Sequence, residues 1–487
     1  MPTNSLVSGN VVQITLDADD YVTVANAQVF YPGGSSTVTT ATQFGPYSGG
    51  GAVRIVAGAS CTYTLTDATP ATAPLMATPA QAAAFPALVS GDGNTASIRI
   101  GMIGDSRSDS TDVRLAANTY FTHDWLPIAN ALAGGPLLID ASGGVGGETT
   151  AQMDDNLKSV VAAGCKAATL LAGTNDGWTT IADVNASLVT RRSLTDQLLA
   201  LGIYVFSMSE TPNTTKGAAW HDLAAYFNAQ EQAYWRGRRG GEFVDVWTPL
   251  LDPATGLGLA ANFHDGLHQG ITGAWKMGKV LAPRIQARYG GRYWPLASGP
   301  RDVFATNPAS LQRVPNPTML GTGGTIGAGN SGTLPNNVVS FGTATVAWSS
   351  VARADGAGND LRAVITGTSG QTMGCYQQFA HAEMTAGTRW MLLAAINIES
   401  CTDLSEVSVS CSTSSFSIRA NAAIQSGSGL TLASASGELI VQSPEFTIDA
   451  SVANPTYAFG MFEAKGKTGS AWSAAVRGGR YTMLRLA

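Results

Sequence analysis

The feature that most restricts the fold of this chain is an alternation of apolar runs and longer helical stretches in its middle part. Apolar runs typical of buried strands occupy 98–103, 137–140, 168–171, 203–208 and 243–247. Helical stretches occupy 124–132, 151–163, 184–201, 218–236 and 273–289. Because parallel strands need long crossovers, this alternation predicts a parallel sheet covered by helices on both faces, a three-layer α/β domain.

Strand-like runs without helical periodicity flank this middle part. Runs such as 11–16 and 53–56, separated by turn residues, predict a small β domain. Further runs at 361–366, 390–396, 438–442 and 481–486 predict a β-sandwich or jelly roll. An Ala-, Thr- and Pro-rich stretch predicts an extended linker. The chain is therefore predicted to contain a β domain at 1–67, a linker at 68–96, the α/β domain at 97–297 and a carbohydrate-binding-like β domain at 298–487.

Composition excludes several classes of protein. The 487 residues carry a net charge of −6, which disfavours general nucleic-acid binding, since that binding depends on clustered Lys and Arg. No run approaches the roughly 20 apolar residues of a membrane-spanning helix. The first residues also lack the charged and apolar regions of a Sec signal peptide, so neither feature is expected.

The five cysteines do not form a metal-binding pattern. No Cys-x-x-Cys pair occurs, so no zinc cluster is expected. Cys401 and Cys411 could bridge neighbouring strands, or they could remain buried free thiols. The sequence leaves both alternatives open.

A serine follows the first strand of the α/β region directly. The run 98–103 ends in a Gly-Asp-Ser turn whose serine is Ser106, at the strand end where parallel sheets place their ligand sites. A serine nucleophile needs a base, and that base needs a carboxylate to orient it. Of the five histidines, only His268 has an aspartate, Asp265, three residues before it. These three residues are predicted to be nucleophile, base and orienting acid, with His264 as the alternative base.

Four short segments now resemble the SGNH or GDSL family of lipases and esterases. They are Gly-Asp-Ser at 104–106, Gly-Val-Gly-Gly-Glu-Thr at 144–149, Gly-Thr-Asn-Asp at 173–176 and Asp-Gly-Leu-His at 265–268. Three of them follow predicted strands, and the fourth precedes the last helix. The resemblance covers about 97–295 and implies a flavodoxin-like α/β hydrolase domain with carboxylic ester hydrolase activity.

The resemblance also implies an oxyanion hole, the set of donors that stabilises the negative oxygen of the intermediate. Its donors would be the backbone N–H of Ser106, the backbone N–H of Gly147 and the side-chain amide of Asn175. Gly144 and Gly146 remain alternatives to Gly147. The mechanism requires neither a metal nor an organic cofactor.

Two features of the sequence depart from the family pattern, and they bear on the substrate and on the loops around the site. The residues at 107–110, Arg-Ser-Asp-Ser, are more polar than the family usually has after its nucleophile, which favours a hydrated substrate such as a sugar. Glu148 and Asp176 flank the implied oxyanion donors, and their carboxylates are expected to hold loops by accepting backbone N–H groups. Three tryptophans of the last β domain could stack on sugars or, more commonly, pack in the core: Trp348, Trp390 and Trp472.

The sequence thus favours a serine esterase that removes O-acetyl groups from a polysaccharide. A β domain before the enzyme and a sandwich after it resemble phage tail-spike or tail-fibre proteins, which implies a virion tail or extracellular location and a glycan partner. Such proteins are often trimers, so the resemblance makes a homotrimer an expectation. A lipase or thioesterase of the same fold is one alternative. A catalytically silent glycan-binding adhesin or structural tail protein is another.

Overall fold

The computed structural model describes two compact units, Met1–Ala87 and Leu88–Ala487. The described residues are 4–6, 11–16, 21–31, 34–44, 51–66, 98–108, 125–290, 296–297, 314–356, 358–379, 384–413, 416–443, 445–451, 453 and 458–485. The predicted linker at 68–96 lies outside them, and the predicted domain boundaries stay predictions.

The first unit contains an antiparallel sheet of six strands. They are β1 (Asn4–Leu6), β2 (Val11–Leu16), β3 (Tyr21–Tyr31), β4 (Gly34–Val38), β5 (Thr42–Phe44) and β6 (Gly51–Thr66). β6 pairs with β1, β2 and β3, and β3 also pairs with β4 and β5. The alternating runs at 11–16 and 53–56 therefore lie in strands, as their period of two predicts.

The second unit begins with alternating strands and helices. Their bounds are β7 (Ile98–Gly104), α1 (Trp125–Leu132), β8 (Leu137–Gly144), α2 (Asp154–Ala162), β9 (Ala167–Leu171), α3 (Ile181–Ala200), β10 (Tyr204–Met208), α4 (Ala218–Tyr234), β11 (Gly241–Val244) and α5 (Ile271–Tyr289). All strand pairs are parallel, in the order β11-β10-β9-β7-β8. The prediction of a parallel α/β sheet is confirmed.

Helices cover both faces of this sheet because its strands are apolar on both sides. On one face, Ile100 and Met102 of β7 share a core with Trp125 of α1 and Leu281 of α5. On the other face, Ile103 belongs to a separate core. This second core also contains Val160 of α2 and Leu198 of α3. The central strands are therefore buried between two helical layers, as their near-continuous apolar sequences predict.

Element boundaries differ from the predicted ones where local hydrogen bonds decide them. Helix α3 begins at Ile181, three residues before the predicted start, because the Thr180 side chain accepts the Asp183 N–H and the Asp183 carboxylate accepts the Thr180 N–H. The predicted helix at 151–163 is divided into a 3₁₀ turn, Thr150–Gln152, and α2. These differences leave the order of elements unchanged.

The last part of the chain forms one large curled sheet of eleven strands. They are β12 (Ser331–Gly332), β13 (Val338–Gly342), β14 (Thr345–Ala352), β15 (Asn359–Gly367), β16 (Thr372–Phe379), β17 (Arg389–Thr413), β18 (Phe416–Leu432), β19 (Leu439–Gln442), β20 (Phe446–Thr447), β21 (Ala458–Gly466) and β22 (Trp472–Arg485). The four β runs expected here all overlap strands, except that residue 438 precedes β19 and residue 486 lies outside the described residues. Hydrogen bonds join the described strands into one curled sheet. The expected sandwich or jelly-roll arrangement of this part stays a prediction.

Strand β17 pairs with five other described strands of this sheet. Its first half pairs with β22 and with the short strands β19 and β20, and its second half pairs with β18 and β21. Register shifts occur along the way, between Leu393 and Ala395 and between Ile398 and Ser400. Such irregularities bend a strand and increase its twist, which lets one strand serve two sets of partners.

The curled sheet packs directly against the α/β layers. Leu138 of the edge strand β8 lies in a buried cluster with Met391, Leu393 and Leu484. The amide of Gln442 donates to the backbone oxygen of Leu137. The core around α1 and α5 also continues into the curled sheet. The two parts of the second unit therefore share apolar cores.

The structure shows where the tryptophans and cysteines lie whose roles the sequence left undecided. Trp348, Trp390 and Trp472 are almost fully buried, so stacking of these rings on sugars is wrong and core packing is confirmed. The five cysteines all fall in the described part of the chain, where each is a buried free thiol. This excludes the bridge between Cys401 and Cys411. Among the described helices, none is long and apolar enough to cross a membrane.

Candidate active site

Ser106 is presented by a tight turn at the end of β7. A Cβ atom on Gly104 would lie 2.5 Å from the backbone oxygen of Leu171 in β9, so the close approach of these strands requires glycine. The turn closes with a hydrogen bond of 2.9 Å from the Ser108 N–H to the Asp105 oxygen. Asp105 and Arg107 are buried on either side of Ser106, whereas Ser106 itself is partly exposed. The serine is therefore the residue of this turn that faces outward.

The structure brings together the three residues predicted to form the catalytic set. The Ser106 Oγ lies 2.8 Å from the His268 Nε2, across 162 positions of sequence. The His268 Nδ1 lies 2.6 Å from the Asp265 Oδ2. With the proton of the imidazole on Nδ1, the serine hydroxyl donates to Nε2 and Nδ1–H donates to the carboxylate. This arrangement can move a proton from the serine to the histidine.

Asp265 is held as an ionised carboxylate. Its Oδ1 accepts the backbone N–H groups of Leu267 at 2.9 Å and His268 at 2.7 Å, and its Oδ2 accepts the imidazole N–H. Partial burial acts to raise the pKa of Asp265, but these hydrogen bonds outweigh it and hold the pKa well below its usual range. The acid therefore stays charged where it orients the histidine.

His264, the alternative base, lies on the far side of the acid. Its Nε2 is 3.7 Å from the Asp265 Oδ2, and its backbone N–H donates to the His268 oxygen at 3.0 Å. The imidazole within hydrogen-bond distance of Ser106 is that of His268. Geometry thus favours His268 as the base.

The loops that follow β8 and β9 lie next to the serine turn. In the sheet, Gly104 pairs with Gly144 of β8 and with Leu171 of β9. The Val145 N–H donates to the Gly104 oxygen at 3.1 Å, which fixes the start of the loop that contains Gly147. The sequence segments at 144–149 and 173–176 therefore meet Ser106 at the same edge of the sheet.

Two backbone donors at this edge are available to a ligand. Within the described ranges, neither the Ser106 N–H nor the Gly147 N–H donates a hydrogen bond to the protein. Gly147 has a φ of +80° and open space where a Cβ would stand, so its peptide takes a conformation that favours glycine. The choice among Gly144, Gly146 and Gly147 stays a prediction, as does the role of each donor.

Asn175 extends toward the same loop. Its Nδ2 donates to the Glu148 backbone oxygen at 3.0 Å. An amide nitrogen carries two hydrogens, so the second remains for a ligand. The bond also ties the loop after β9 to the residue that follows Gly147. Asn175 can therefore donate to an oxyanion and position the neighbouring loop at the same time.

The two flanking carboxylates hold the loops in different ways. Asp176 accepts the Thr150 N–H at 2.7 Å and the Thr150 hydroxyl at 2.6 Å, in agreement with its expected loop-holding contact to backbone. Glu148 instead accepts the Asn156 side-chain amide at 2.6 Å, so the expected bond to a backbone N–H is wrong for this residue. Asn156 also donates to the Gly104 oxygen, which links Glu148 to the serine turn.

Comparisons with known proteins find similarity only at the level of structure. A scan against protein-family models finds no match, and a search of curated proteins finds none either. Among solved structures, a GDSL-like lipase from Bacteroides thetaiotaomicron is 16% identical, with a TM-score of 0.32 over 44% of this chain and 98% of that one. An acetylxylan esterase from Geobacillus stearothermophilus is 17% identical, with a TM-score of 0.32 over 38% of this chain and 93% of that one. Similarity at this level assigns no activity to the chain.

Beneath the serine turn lies a buried group of charges that the sequence analysis missed. The Arg107 Nε and Nη2 donate to the two carboxylate oxygens of Asp105 at 2.9 and 2.6 Å. Its Nη1 donates to Glu210 and, at 2.8 Å, to the Thr211 hydroxyl. All three charged side chains are fully buried. We refer to Asp105, Arg107 and Glu210 as the buried charge cluster.

Burial governs the electrostatics of this cluster. Burial alone would lower the pKa of Arg107, but the charges of Asp105 and Glu210 outweigh it and raise that pKa. Burial raises the pKa of Glu210, and Arg107 opposes this effect. Arg107 therefore remains charged and forms ion pairs with both carboxylates in the interior of the protein.

The buried charge cluster corrects one sequence-based expectation. The polar residues at 107–110 favour a hydrated substrate only if they face it, but the side chains of Arg107 and Ser108 are buried in the protein. Asp109 and Ser110 lie outside the described residues. The available signal was Glu210, an acid two residues after the apolar end of β10.

Proposed function

We propose that this chain is a serine esterase of the SGNH type that removes O-acetyl groups from a polysaccharide. The observation that carries the proposal is the continuous hydrogen-bonded path from the Ser106 Oγ through His268 to Asp265, with bonds of 2.8 and 2.6 Å. Nucleophile, base and orienting acid are in contact without rearrangement, which is the arrangement that activates a serine.

The path supports a two-step ester hydrolysis. The Ser106 Oγ attacks the ester carbonyl while its proton passes to the His268 Nε2. The imidazolium then gives this proton to the leaving alcohol, and an acyl-serine remains. In the second step a water molecule loses a proton to Nε2 and attacks the acyl carbonyl. The imidazolium then returns this proton to the Ser106 Oγ as the bond to the acyl group breaks, which releases the acid and restores the serine. Asp265 keeps the imidazole oriented and stabilises its charge throughout.

The backbone donors support stabilisation of the intermediate. The tetrahedral intermediate carries a negative oxygen, which preformed donors stabilise most because they need no reorganisation. The N–H groups of Ser106 and Gly147 have no partner among the described residues, and Asn175 has one amide hydrogen left over. These three donors are proposed to form the oxyanion hole.

The exposure of the described residues at the site supports a polymer-borne ester over a lipid. The side chains of His268 and Asp265 are 29% and 44% exposed, and the neighbouring Val145 is 45% exposed. An acyl chain of many carbons needs an enclosed apolar pocket, because its binding energy comes from area removed from water. A short acyl group on a large hydrated polymer needs only a shallow site.

The activity is tested with p-nitrophenyl acetate and p-nitrophenyl esters of longer acids. We expect hydrolysis of the acetate that Ser106→Ala abolishes and that Ser159→Ala leaves intact. Ser159 is a matched control, because it is an exposed serine of α2 whose hydroxyl bonds only to a backbone oxygen, that of Asp155. Preference for long chains would favour the lipase or thioesterase alternative instead.

The polysaccharide is tested separately, by release of acetate from O-acetylated xylan and from bacterial capsular polysaccharides. Release that requires Ser106 supports the proposal. Binding of these polymers without release of acetate, and without hydrolysis of any p-nitrophenyl ester, would favour the silent adhesin or structural tail protein.

The proposed setting is a virion tail or another extracellular particle, with a homotrimer as the expected assembly. Support comes from the order of the elements, in which an antiparallel β sheet precedes the α/β layers and a large β sheet follows them. Light scattering in solution tests the assembly, since a trimer would have three times the chain mass of 50.2 kDa. A particle of the chain mass itself would exclude the trimer.

A further inference from the structure

The loop that carries His268 is a short hairpin with ligand-forming side chains. Phe263 and Gln269 form an antiparallel bridge at its base, and the His264 N–H donates to the His268 oxygen at 3.0 Å. Gly266 reverses the chain with a φ of +88°. The two histidine rings consequently lie side by side, with centroids 5.7 Å apart.

The Asp265 carboxylate lies close to a nitrogen of each ring. The Asp265 Oδ2 is 3.7 Å from the His264 Nε2 and 2.6 Å from the His268 Nδ1. One ligand atom from each of the three residues falls within 4.8 Å of the others. Zinc bonds to imidazole nitrogen and carboxylate oxygen at about 2.0–2.2 Å in a tetrahedron, which places neighbouring ligand atoms about 3.3–3.5 Å apart. The His264 and Asp265 atoms are already close to this separation, whereas the Asp265 and His268 atoms would have to move apart to admit the ion.

Exposure leaves room for the ion and for the water that completes its coordination. The side chains of His264 and Asp265 are 46% and 44% exposed. Two imidazoles and one carboxylate match the ligand preference of Zn²⁺ and differ from the all-oxygen sets that Mg²⁺ and Ca²⁺ prefer. The three ligands also come from one short loop, so binding requires no ordering of a distant segment of the chain.

We propose that His264, Asp265 and His268 form a Zn²⁺ site whose occupation switches off Ser106. The metal takes the Nδ1 lone pair of His268, so the proton on Nδ1 moves to Nε2 and no net proton is lost from the ring. Nε2 then becomes a donor and can no longer accept the serine proton. The metal also takes the Asp265 oxygen that orients the ring. The inhibitory part of this inference depends on the proposed esterase function, whereas the metal site itself does not.

The site is tested by titrating ZnCl₂ into the full chain by calorimetry, without any activity readout. We expect one Zn²⁺ per chain for the wild type and for Ser106→Ala, which keeps all three ligands. His264→Gln should weaken binding by more than the roughly 10- to 100-fold that loss of an outer-shell partner typically costs. Equal affinity of the wild type and His264→Gln, or no binding to either, would overturn the site.

Inhibition is tested with the same variants in the p-nitrophenyl acetate assay. Zn²⁺ should inhibit the wild type, and EDTA should restore its activity. His264→Gln should hydrolyse the ester at close to the wild-type rate in EDTA, which shows that it folds, and should resist Zn²⁺ concentrations that inhibit the wild type. Zinc that binds through His264 without lowering turnover would overturn the inhibitory role. Zinc binding in a chain that hydrolyses no ester would leave the site standing and remove the proposed function.

Discussion

The strongest test of the fold beneath the site is Arg107→Met. This change removes the charge that compensates two fully buried carboxylates, Asp105 and Glu210, while it keeps most of the apolar volume. Loss of one partner from a buried ion pair typically costs about 3–5 kcal/mol, because the remaining charge stays out of water. We expect a loss of that size in the free energy of unfolding at pH 7.

The pH dependence of this loss distinguishes charge from packing. Burial already raises the pKa of Glu210, and removal of Arg107 takes away the cation that opposes this shift. A carboxyl whose pKa is higher in the folded state binds a proton on folding, so lower pH stabilises the folded variant. The difference between wild type and Arg107→Met should therefore shrink between pH 7 and pH 5. A pure packing defect would give the same difference at both values.

The assay is urea unfolding followed by tryptophan fluorescence, with Arg284→Met as the control. Arg284 forms an ion pair with Glu242 at 2.6 Å, but its side chain is 47% exposed. Exposed pairs contribute about 0–1 kcal/mol, so the control should change little. Arg107→Lys keeps the charge and loses the forked geometry, and it should fall between wild type and Arg107→Met. An Arg107→Met loss no larger than that of Arg284→Met would refute the stabilising role of the cluster.

Three further predictions concern the site and the thiols. Asn175→Ala should lower kcat on p-nitrophenyl acetate by about 10² to 10³ if Asn175 is an oxyanion donor, and a wild-type kcat would remove it from the oxyanion hole. The depressed pKa of Asp265 means that its hydrogen bonds stabilise the fold above the ordinary carboxyl pKa of 3.8 and lose this effect as the pH falls through the lower folded value. The Tm difference between wild type and Asp265→Asn should thus narrow below about pH 4, whereas the same difference at pH 5 and pH 3 would contradict the direction of the shift. Burial raises the pKa of Cys375 and of Cys411 to about 12. Ellman's reagent should therefore react with these two thiols only after the protein unfolds. Rapid reaction of both thiols in the native protein would show that they are accessible.

The sequence predicted the central sheet from local patterns, and it predicted the contacts of the proposed catalytic set from motifs at one edge of that sheet. Alternating apolar runs and helices leave few topologies other than a parallel sheet. An aspartate three residues before His268 can reach the same imidazole within one short loop, and Ser106 is placed by the carboxyl end of its strand.

What the sequence could not predict depends on tertiary contacts. Arg107 is buried in a turn that follows the close approach of β7 to β9 at Gly104, and no local sequence pattern reports this approach. Its partner Glu210 is more than one hundred residues away. The curled sheet was likewise beyond prediction, because β17 changes partners at irregularities that have no distinct sequence signal.

The apolar core that α1 and β8 share with the curled sheet limits how this chain can be divided. A chain ended at Gly290 would uncover Leu138, which packs on Met391 and Leu393, and would leave the Leu137 oxygen without the Gln442 amide. Each such apolar side chain contributes roughly 1.5–3 kcal/mol when buried, against a typical total stability of about 5–15 kcal/mol. The α/β layers would therefore be transplanted or inherited together with the sheet that follows them, and a graft of these layers should keep β19 and β22 in place.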